Sequence, residues 1–234
     1  MTYIEGFIVP VPTANKDAYL KSAADFAPKV KGWGVTRHTE WWADDVLRGK
    51  VTDFYRAVDA TDDESVAFSW FEYPDKAARD AANAKMMADP DMANMDMPFD
   101  GKRMIVAGFE TIVDTGGGAR GGYIDGFVAP APDKAAYLAM AENAAPIFRE
   151  HGAIRVVEAW EDDVSDGKVT DYRRAVQAKE GEKIVFSWIE WPDKATRDAG
   201  WEKVMADERM KPPGEMPFDG QRMFWGGFAP LLDA

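Results

Sequence analysis

The sequence predicts an α+β protein: two tandem ferredoxin-like (split βαβ) repeats that close on each other as a pseudo-dimeric α/β barrel. Three observations predict it. The run Phe68-Ser69-Trp70-Phe71-Glu72-Tyr73-Pro74-Asp75-Lys76-Ala77 returns as Phe186-Ser187-Trp188-Ile189-Glu190-Trp191-Pro192-Asp193-Lys194-Ala195. Aligned outward from these anchors, each half reads strand, helix, strand, strand, strand, helix, strand; four of the strands with the two helices make a split βαβ layout. Helices cover one face of such a sheet, yet the other face still carries Trp and Phe, and a second identical sheet can shield it.

Each copy opens with a β-rich run, Tyr3 to Pro12 or Tyr123 to Pro132, closed by prolines that cannot donate to a ladder. A helix follows. Asp133 suits its N-cap, and Tyr137, Met140, Ala141, Ala144 and Phe148 recur on one face. Tyr19, Ser22, Ala23, Phe26 and Val30 hold the same places in copy one. Pro28 and Pro146 are expected to kink or break these helices, and Gly34 and Gly152 to stop them. Thr36 to Trp42 and Ile154 to Trp160 alternate as strands. Asp44-Asp45 and Asp162-Asp163 then open a polar turn, and Asp53 to Ala60 and Asp171 to Ala178 are expected to return as further strands.

The anchor strand ends in Pro-Asp-Lys, and a second helix is expected from Lys76 to Ala88 and from Lys194 to Ala206. Met97-Pro98-Phe99-Asp100-Gly101 and Met216-Pro217-Phe218-Asp219-Gly220 mark a tight turn before the last strand, which holds Gly108-Phe109 or Gly227-Phe228. The domains expected are a first repeat over 1–115, a Gly-rich tether over 116–122 and a second repeat over 123–234.

Composition narrows the function. The chain has 234 residues and a formal net charge of −13, which opposes nucleic acid and anionic membrane surfaces as partners. It has no cysteine, excluding disulfides, thiolate nucleophiles and Cys-ligated zinc. No apolar run approaches the ~18 residues of a membrane span, and the N-terminus lacks a basic and then apolar leader, so the cytoplasm is the compartment expected.

Strand alternation gives the candidate site. Thr36, His38, Glu40 and Trp42 share a face, as do Ile154, Val156, Glu158 and Trp160. A glutamate among apolar neighbours needs a partner, and Arg56 and Arg174, read on the adjacent strand, offer one. The functional reading is an Arg–Glu–Trp wall on the inward strand faces: Glu40 and Glu158 as bases, Arg56 and Arg174 as anion holders, Trp42, Trp160, Trp70 and Trp188 as walls. The competing reading is a structural ion pair. His38 could relay a proton to Glu40.

Val156 stands opposite His38 and Trp33 opposite His151, so no pseudo-symmetric histidine metal site is expected; His151 suits a helix C-terminus. The aspartate pairs lack the spacing of a calcium loop. Ser69 and Ser187 lack a nucleophile elbow. Met86, Met87, Met92, Met95 and Met97 could line a pocket or fill a core.

The run Val185 to Lys194, the helix after it and the Met-Pro-Phe-Asp-Gly turn resemble the uncharacterised YbaA-like family (domain of unknown function 1428), twice along the chain. The resemblance implies the dimeric α/β-barrel superfamily of the antibiotic-biosynthesis monooxygenases, whose branches include cofactor-free quinone-forming and heme-degrading enzymes that use the space between sheet and helices. Trp201 falls near a tryptophan of the heme-degrading branch, but no axial histidine follows it and Asn83 is its counterpart, so neither heme nor another cofactor is expected. The function expected is binding of a small apolar or aromatic molecule, with cofactor-independent oxygenation or isomerisation as its chemistry. The alternative is a non-catalytic binding or assembly module with a packed interior.

Overall fold

The computed structural model describes residues 2–94, 96–116, 120–211 and 214–234. Each repeat supplies four strands. In the first they are β1 (Tyr3–Pro12), β2 (Arg37–Asp45), β3 (Glu64–Tyr73) and β4 (Ile105–Asp114); in the second β5 (Tyr123–Ala131), β6 (Arg155–Asp163), β7 (Lys183–Trp191) and β8 (Phe224–Asp233). The helices are α1 (Lys16–Trp33), α2 (Phe54–Ala57) and α3 (Lys76–Ala88), then α4 (Lys134–Glu150), α5 (Tyr172–Ala175) and α6 (Lys194–Ala206).

Every strand pairing is antiparallel, and the strands close in the order β1-β3-β2-β8-β5-β7-β6-β4. Each repeat keeps the split βαβ order β4-β1-β3-β2 or β8-β5-β7-β6, and the two sheets join edge to edge through β2–β8 and β4–β6. Closure leaves no strand edge unpaired, which removes the aggregation hazard a lone repeat would carry.

The barrel interior is packed with aromatic rings across the pseudo-two-fold axis. Phe68 stacks on Phe186 with centroids 4.6 Å apart, and Trp70 on Trp188 at 4.1 Å. Glycine makes room for them: a Cβ on Gly6 would lie 2.8 Å from the Phe186 ring, and one on Gly126 3.1 Å from Phe68. One barrel end is plugged by α2 and α5. Phe54 packs against Phe68, Phe224 and Phe228, Tyr172 packs against Phe109 and Phe186, and the Thr52 and Thr170 hydroxyls donate to Ala175 O and Ala57 O of the opposite repeat.

At the other end, where β2 and β6 begin, lies a buried charge network. Arg37 donates to both carboxylate oxygens of Glu190 (2.7 and 3.0 Å) and of Asp233 (3.0 and 2.9 Å). Arg155 does the same to Glu72 (2.7 and 3.2 Å) and Asp114 (3.0 and 2.8 Å). The Trp70 and Trp188 indoles donate to Glu72 and Glu190. The longer helices α1, α3, α4 and α6 cover the outer face of the barrel, burying Tyr19, Ala23 and Val30 or Tyr137, Ala141 and Phe148 against it.

Several sequence expectations are corrected. Asp53 to Ala60 and Asp171 to Ala178 are not strands. The Asp53 and Asp171 carboxylates accept from Arg56 N and Arg174 N and so cap the one-turn helices α2 and α5. Pro28 and Pro146 break nothing; α1 and α4 run through them, held by buried neighbours on both sides such as Ala27 and Val30 or Ala145 and Ile147. The paired aspartates are solvated as expected, but they are strand ends rather than turns, and they clamp the other repeat. Tyr3 OH donates to Asp162 and Tyr123 OH to Asp44, each at 2.8 Å, while Arg79 reaches Asp163 at 2.7 Å and Arg197 reaches Asp45 at 2.8 Å.

Of the glycine-rich tether, 117–119 lie outside the described residues. Gly122 is held rather than loose: its N–H donates to Trp191 O, and a Cβ there would strike Pro192 O at 2.2 Å. Among the described residues no helix is long and apolar enough to cross a membrane.

Candidate functional site

The outer face of each half-barrel and its two covering helices leave a cavity between them. In the first repeat it measures about 320 Å³ and is lined by Phe7, Tyr19, Phe26, His38, Glu40 and Phe71 among others. Its counterpart in the second repeat measures about 790 Å³ and is lined by Tyr137, Ala144, Phe148, Glu158, Ile189 and Trp201 among others. Both fall in or near the range of small-molecule sites.

A carboxylate and a phenol meet in each cavity. Alternation along β2 puts His38, Glu40 and Trp42 on the outer face, and the helical period of α1 aims Tyr19 down onto it. Tyr19 OH donates to Glu40 at 2.6 Å, and His38 Nε2 lies 2.8 Å from the other Glu40 oxygen. The His38 ring stands edge-on to Phe71, and its Nδ1 is buried with no hydrogen-bond partner among the described residues. In the second repeat Tyr137 OH donates to Glu158 at 2.7 Å, and Val156 replaces the histidine. Ser69 and Ser187 sit directly opposite the two glutamates on β3 and β7.

Burial pushes the Glu158 carboxyl up to about 7, although Tyr137 and Ser187 pull it partly back. Burial, reinforced by the neighbouring carboxylate, holds both phenols well above their usual range. A carboxyl poised near neutrality can both accept and return a proton.

The sequence-predicted residues divide into three groups. His38, Glu40 and Glu158 line the cavities. Trp42 and Trp160 pack beside the phenols, with centroids 6.5 Å and 6.0 Å from Tyr19 and Tyr137. Trp70 and Trp188 lie elsewhere, fully buried inside the barrel, because neighbours of Ser69 and Ser187 on the same strand face the opposite way.

Arg56 and Arg174 do not meet the glutamates either. They sit on α2 and α5 with about half of each side chain exposed, pairing with Asp53 and Asp171. The inward Arg–Glu–Trp wall is therefore corrected on two counts: the glutamates face outward, and the inward faces are packed. An Arg–Glu–Trp constellation does exist, built instead from Arg37, Arg155, Glu72, Glu190, Trp70 and Trp188 at the barrel end.

Sequence reasoning missed Tyr19 and Tyr137 as site residues. Their signal was present: the same polar-tipped ring stands in both copies on an otherwise apolar helix face. Of the methionines, Met86, Met92 and Met97 line the first cavity, Met87 is exposed, and Met95 lies outside the described residues. His151 closes α4 and meets Asp207 at 3.0 Å. Among the described residues no group of three or more His, Asp or Glu side chains is arranged to hold a metal ion.

Comparison with known proteins places this geometry in context. A solved structure named "Putative monooxygenase (FN1347)", from Fusobacterium nucleatum subsp. nucleatum, superposes with a TM-score of 0.63 at 11% identity, over 99% of this chain and 93% of that one. A "putative monooxygenase" from Lactobacillus acidophilus superposes at 0.56 and 10% identity, over 100% and 95%. At such identities the likeness shows the fold, an α+β barrel of two related units.

Sequence relatives are much nearer. "Uncharacterized protein YbaA" of Escherichia coli (strain K12) is 59% identical over 114 residues, which is 47% of this chain and 97% of that protein; the Shigella flexneri protein of the same name matches equally. Residues 2–101 and 122–220 each match the family described as "Protein of unknown function (DUF1428)", and the chain belongs to that family, carrying its unit twice.

Proposed function

We infer that each repeat binds a small apolar or aromatic molecule between its sheet and its helices, and that Glu158 and Glu40 exchange a proton with it. One observation carries the reading: Glu158, raised to about 7, accepts from Tyr137 in a largely apolar cavity of about 790 Å³. An acid–base group at that strength is worth little to stability and much to catalysis.

The chemistry this supports is abstraction of a proton from a phenol or from a carbon beside a carbonyl, with the glutamate as acceptor. Returning that proton at another carbon is an isomerisation. Passing the resulting anion to molecular oxygen is an oxygenation, to which the names of the two superposable structures lend support. The likeness of fold adds only the shared arrangement of strands and helices.

A non-catalytic binding or assembly module is the second reading, favoured by the packed barrel interior. The two readings part on a single experiment. Compounds that co-purify with the wild-type protein are identified by mass spectrometry and offered back to wild type and to a Glu40→Gln, Glu158→Gln double variant. Conversion by wild type, lost in the variant while the compound is still captured, supports proton transfer. Equal turnover by both proteins would falsify the assignment of the glutamates.

A further inference from the structure

We propose that the cavity of the first repeat takes an apolar molecule bearing an ammonium group, that Glu5 holds that group, and that the second cavity, whose matching carboxylate is already neutralised and covered, takes no such cation. The proposal deepens the binding reading above and rests on it.

Two buried carboxylates stand at matched places, Glu5 on β1 and Asp125 on β5, and meet different surroundings. Asp125 is saturated. Arg197 donates to one of its oxygens from Nε and Nη2, at 2.9 and 2.6 Å, and the Trp191 and Trp201 indoles donate to the other at 2.9 and 2.8 Å.

Glu5 is one methylene longer, and the matching arginine gives it no hydrogen bond. Arg79 spends its Nη2 on Tyr3 and Asp163 and comes no nearer to Glu5 than 3.8 Å. Among the described residues the Glu5 oxygens accept only from neutral groups, the Asn83 amide at 2.8 Å and the Tyr73 hydroxyl at 3.2 Å. A carboxylate offers about four acceptor sites, so part of this one stays open. Burial pushes both carboxyls up; the largest counterweight is the Arg197 guanidinium at Asp125 but only the Asn83 amide at Glu5. A carboxylate buried without a cation is costly, and a ligand that brings the cation removes the cost.

That ligand can reach it. Glu5 is 6% exposed and lines the first cavity, with Asn83 beside it. In the second repeat the Trp201 indole takes the place of Asn83, lines the cavity and turns its N–H onto the fully buried Asp125.

The rest of the first cavity suits the body of such a molecule. Phe7, Phe26 and Phe71 line it, and an aromatic face attracts an ammonium within about 6 Å. Strand register spaces the polar ends. Glu5 and His38 both stand directly opposite Phe71, so they share its face at two strand spacings, about 9–10 Å apart. His38 is bonded to Glu40. The matching molecule is therefore an arylalkylamine, with its ammonium on Glu5, its ring over Phe71 and a hydroxyl or carbonyl toward Glu40 and Tyr19.

The test uses the full chain and two probes alike in shape. They are 1-naphthylmethylamine, an ammonium at neutral pH, and 1-naphthylmethanol, its neutral counterpart, titrated by calorimetry at physiological salt. Wild type is expected to bind the amine at a single preferred site and about tenfold or more tighter than the alcohol, as one buried charge-assisted hydrogen bond requires. Glu5→Gln keeps the shape and removes the charge. It is expected to bring the two probes within about twofold of each other and to leave the alcohol's affinity as it was. Asn83→Trp, which installs the residue the second repeat carries, is expected to erase the preference as well, and it serves where Glu5→Gln fails to fold.

Equal affinity of wild type for both probes would overturn the ammonium site and leave the binding reading intact. An amine preference that survives these substitutions would do the same. Capture of neither probe would overturn both.

Discussion

At the scale of single residues, Glu158 makes a prediction that needs no ligand. Its folded-state carboxyl is raised to about 7 from an ordinary 4.5. Between those values the folded protein binds a proton that the unfolded chain releases, so this group's contribution to stability falls as pH rises from 4.5 through 7. Above that window the buried charge costs on the order of 3 kcal/mol. Glu158→Gln removes the titration. Its melting temperature relative to wild type should therefore rise from pH 5 to pH 8, and parallel curves would show that the carboxyl titrates normally. The same residue marks where the sequence was readable. Alternation put Glu158 and Trp160 on one face and Glu40, His38 and Trp42 on another, because a strand's period of two is rigid. It could not say which face points into the barrel, since both faces here are apolar and both are covered. Trp70 and Trp188 were grouped with the glutamates for that reason and lie across the sheet from them.

At the scale of elements, the capped turns and the barrel-end charges separate two kinds of arginine. Arg155 carries two carboxylates, Glu72 and Asp114, in a setting where its own side chain is only 10% exposed. Arg155→Ala strips Asp114 of its partner and leaves the buried Glu72 only Arg37, at 3.4 Å, so about 3 kcal/mol should be lost in chemical denaturation. Arg174, half-exposed beside Asp171, should show no measurable change on the same substitution. A loss of similar size at both positions would mean that the barrel-end network adds nothing beyond a surface pair. The sequence hid this contrast for a local reason. Asp53 and Asp171 read as the polar start of an alternating run, yet an aspartate three residues before an open amide caps a helix as readily as it ends a strand. The anchor strands and the second helices were legible because length and proline agree there, and the structure adds the Asp75 and Asp193 caps that start those helices. The partners Arg37–Glu190 and Arg155–Glu72 were not, since each joins residues of different repeats across a barrel no local pattern can display.

At the scale of the molecule, the duplication is itself a device for choosing partners. A single repeat would expose the edges β2 and β4 and the aromatic face that here becomes the barrel interior. Separately produced halves, 1–115 and 123–234, should therefore associate. They should also prefer each other to themselves, although Arg37, Glu72, Trp70 and Phe68 all have identical counterparts in the second repeat. The reason is the largest mismatch among the interior pairs: Trp41 stacks on Trp70 at 6.0 Å, whereas Ala159 holds its place in the second repeat. A self-pair of the first repeat must house two such indoles where the native barrel has one. Overpacking of that kind costs about 1–3 kcal/mol. A self-pair of the second repeat has none and leaves a void of comparable penalty. Only the mixed pair fills that place once. Native mass spectrometry of the mixed halves should show the heterodimer well above the statistical half, and Trp41→Ala should reduce that preference by removing the largest interior mismatch. Halves that remain folded and monomeric when mixed would show instead that each sheet needs no cover, and that the shared aromatic interior is not what unites the chain.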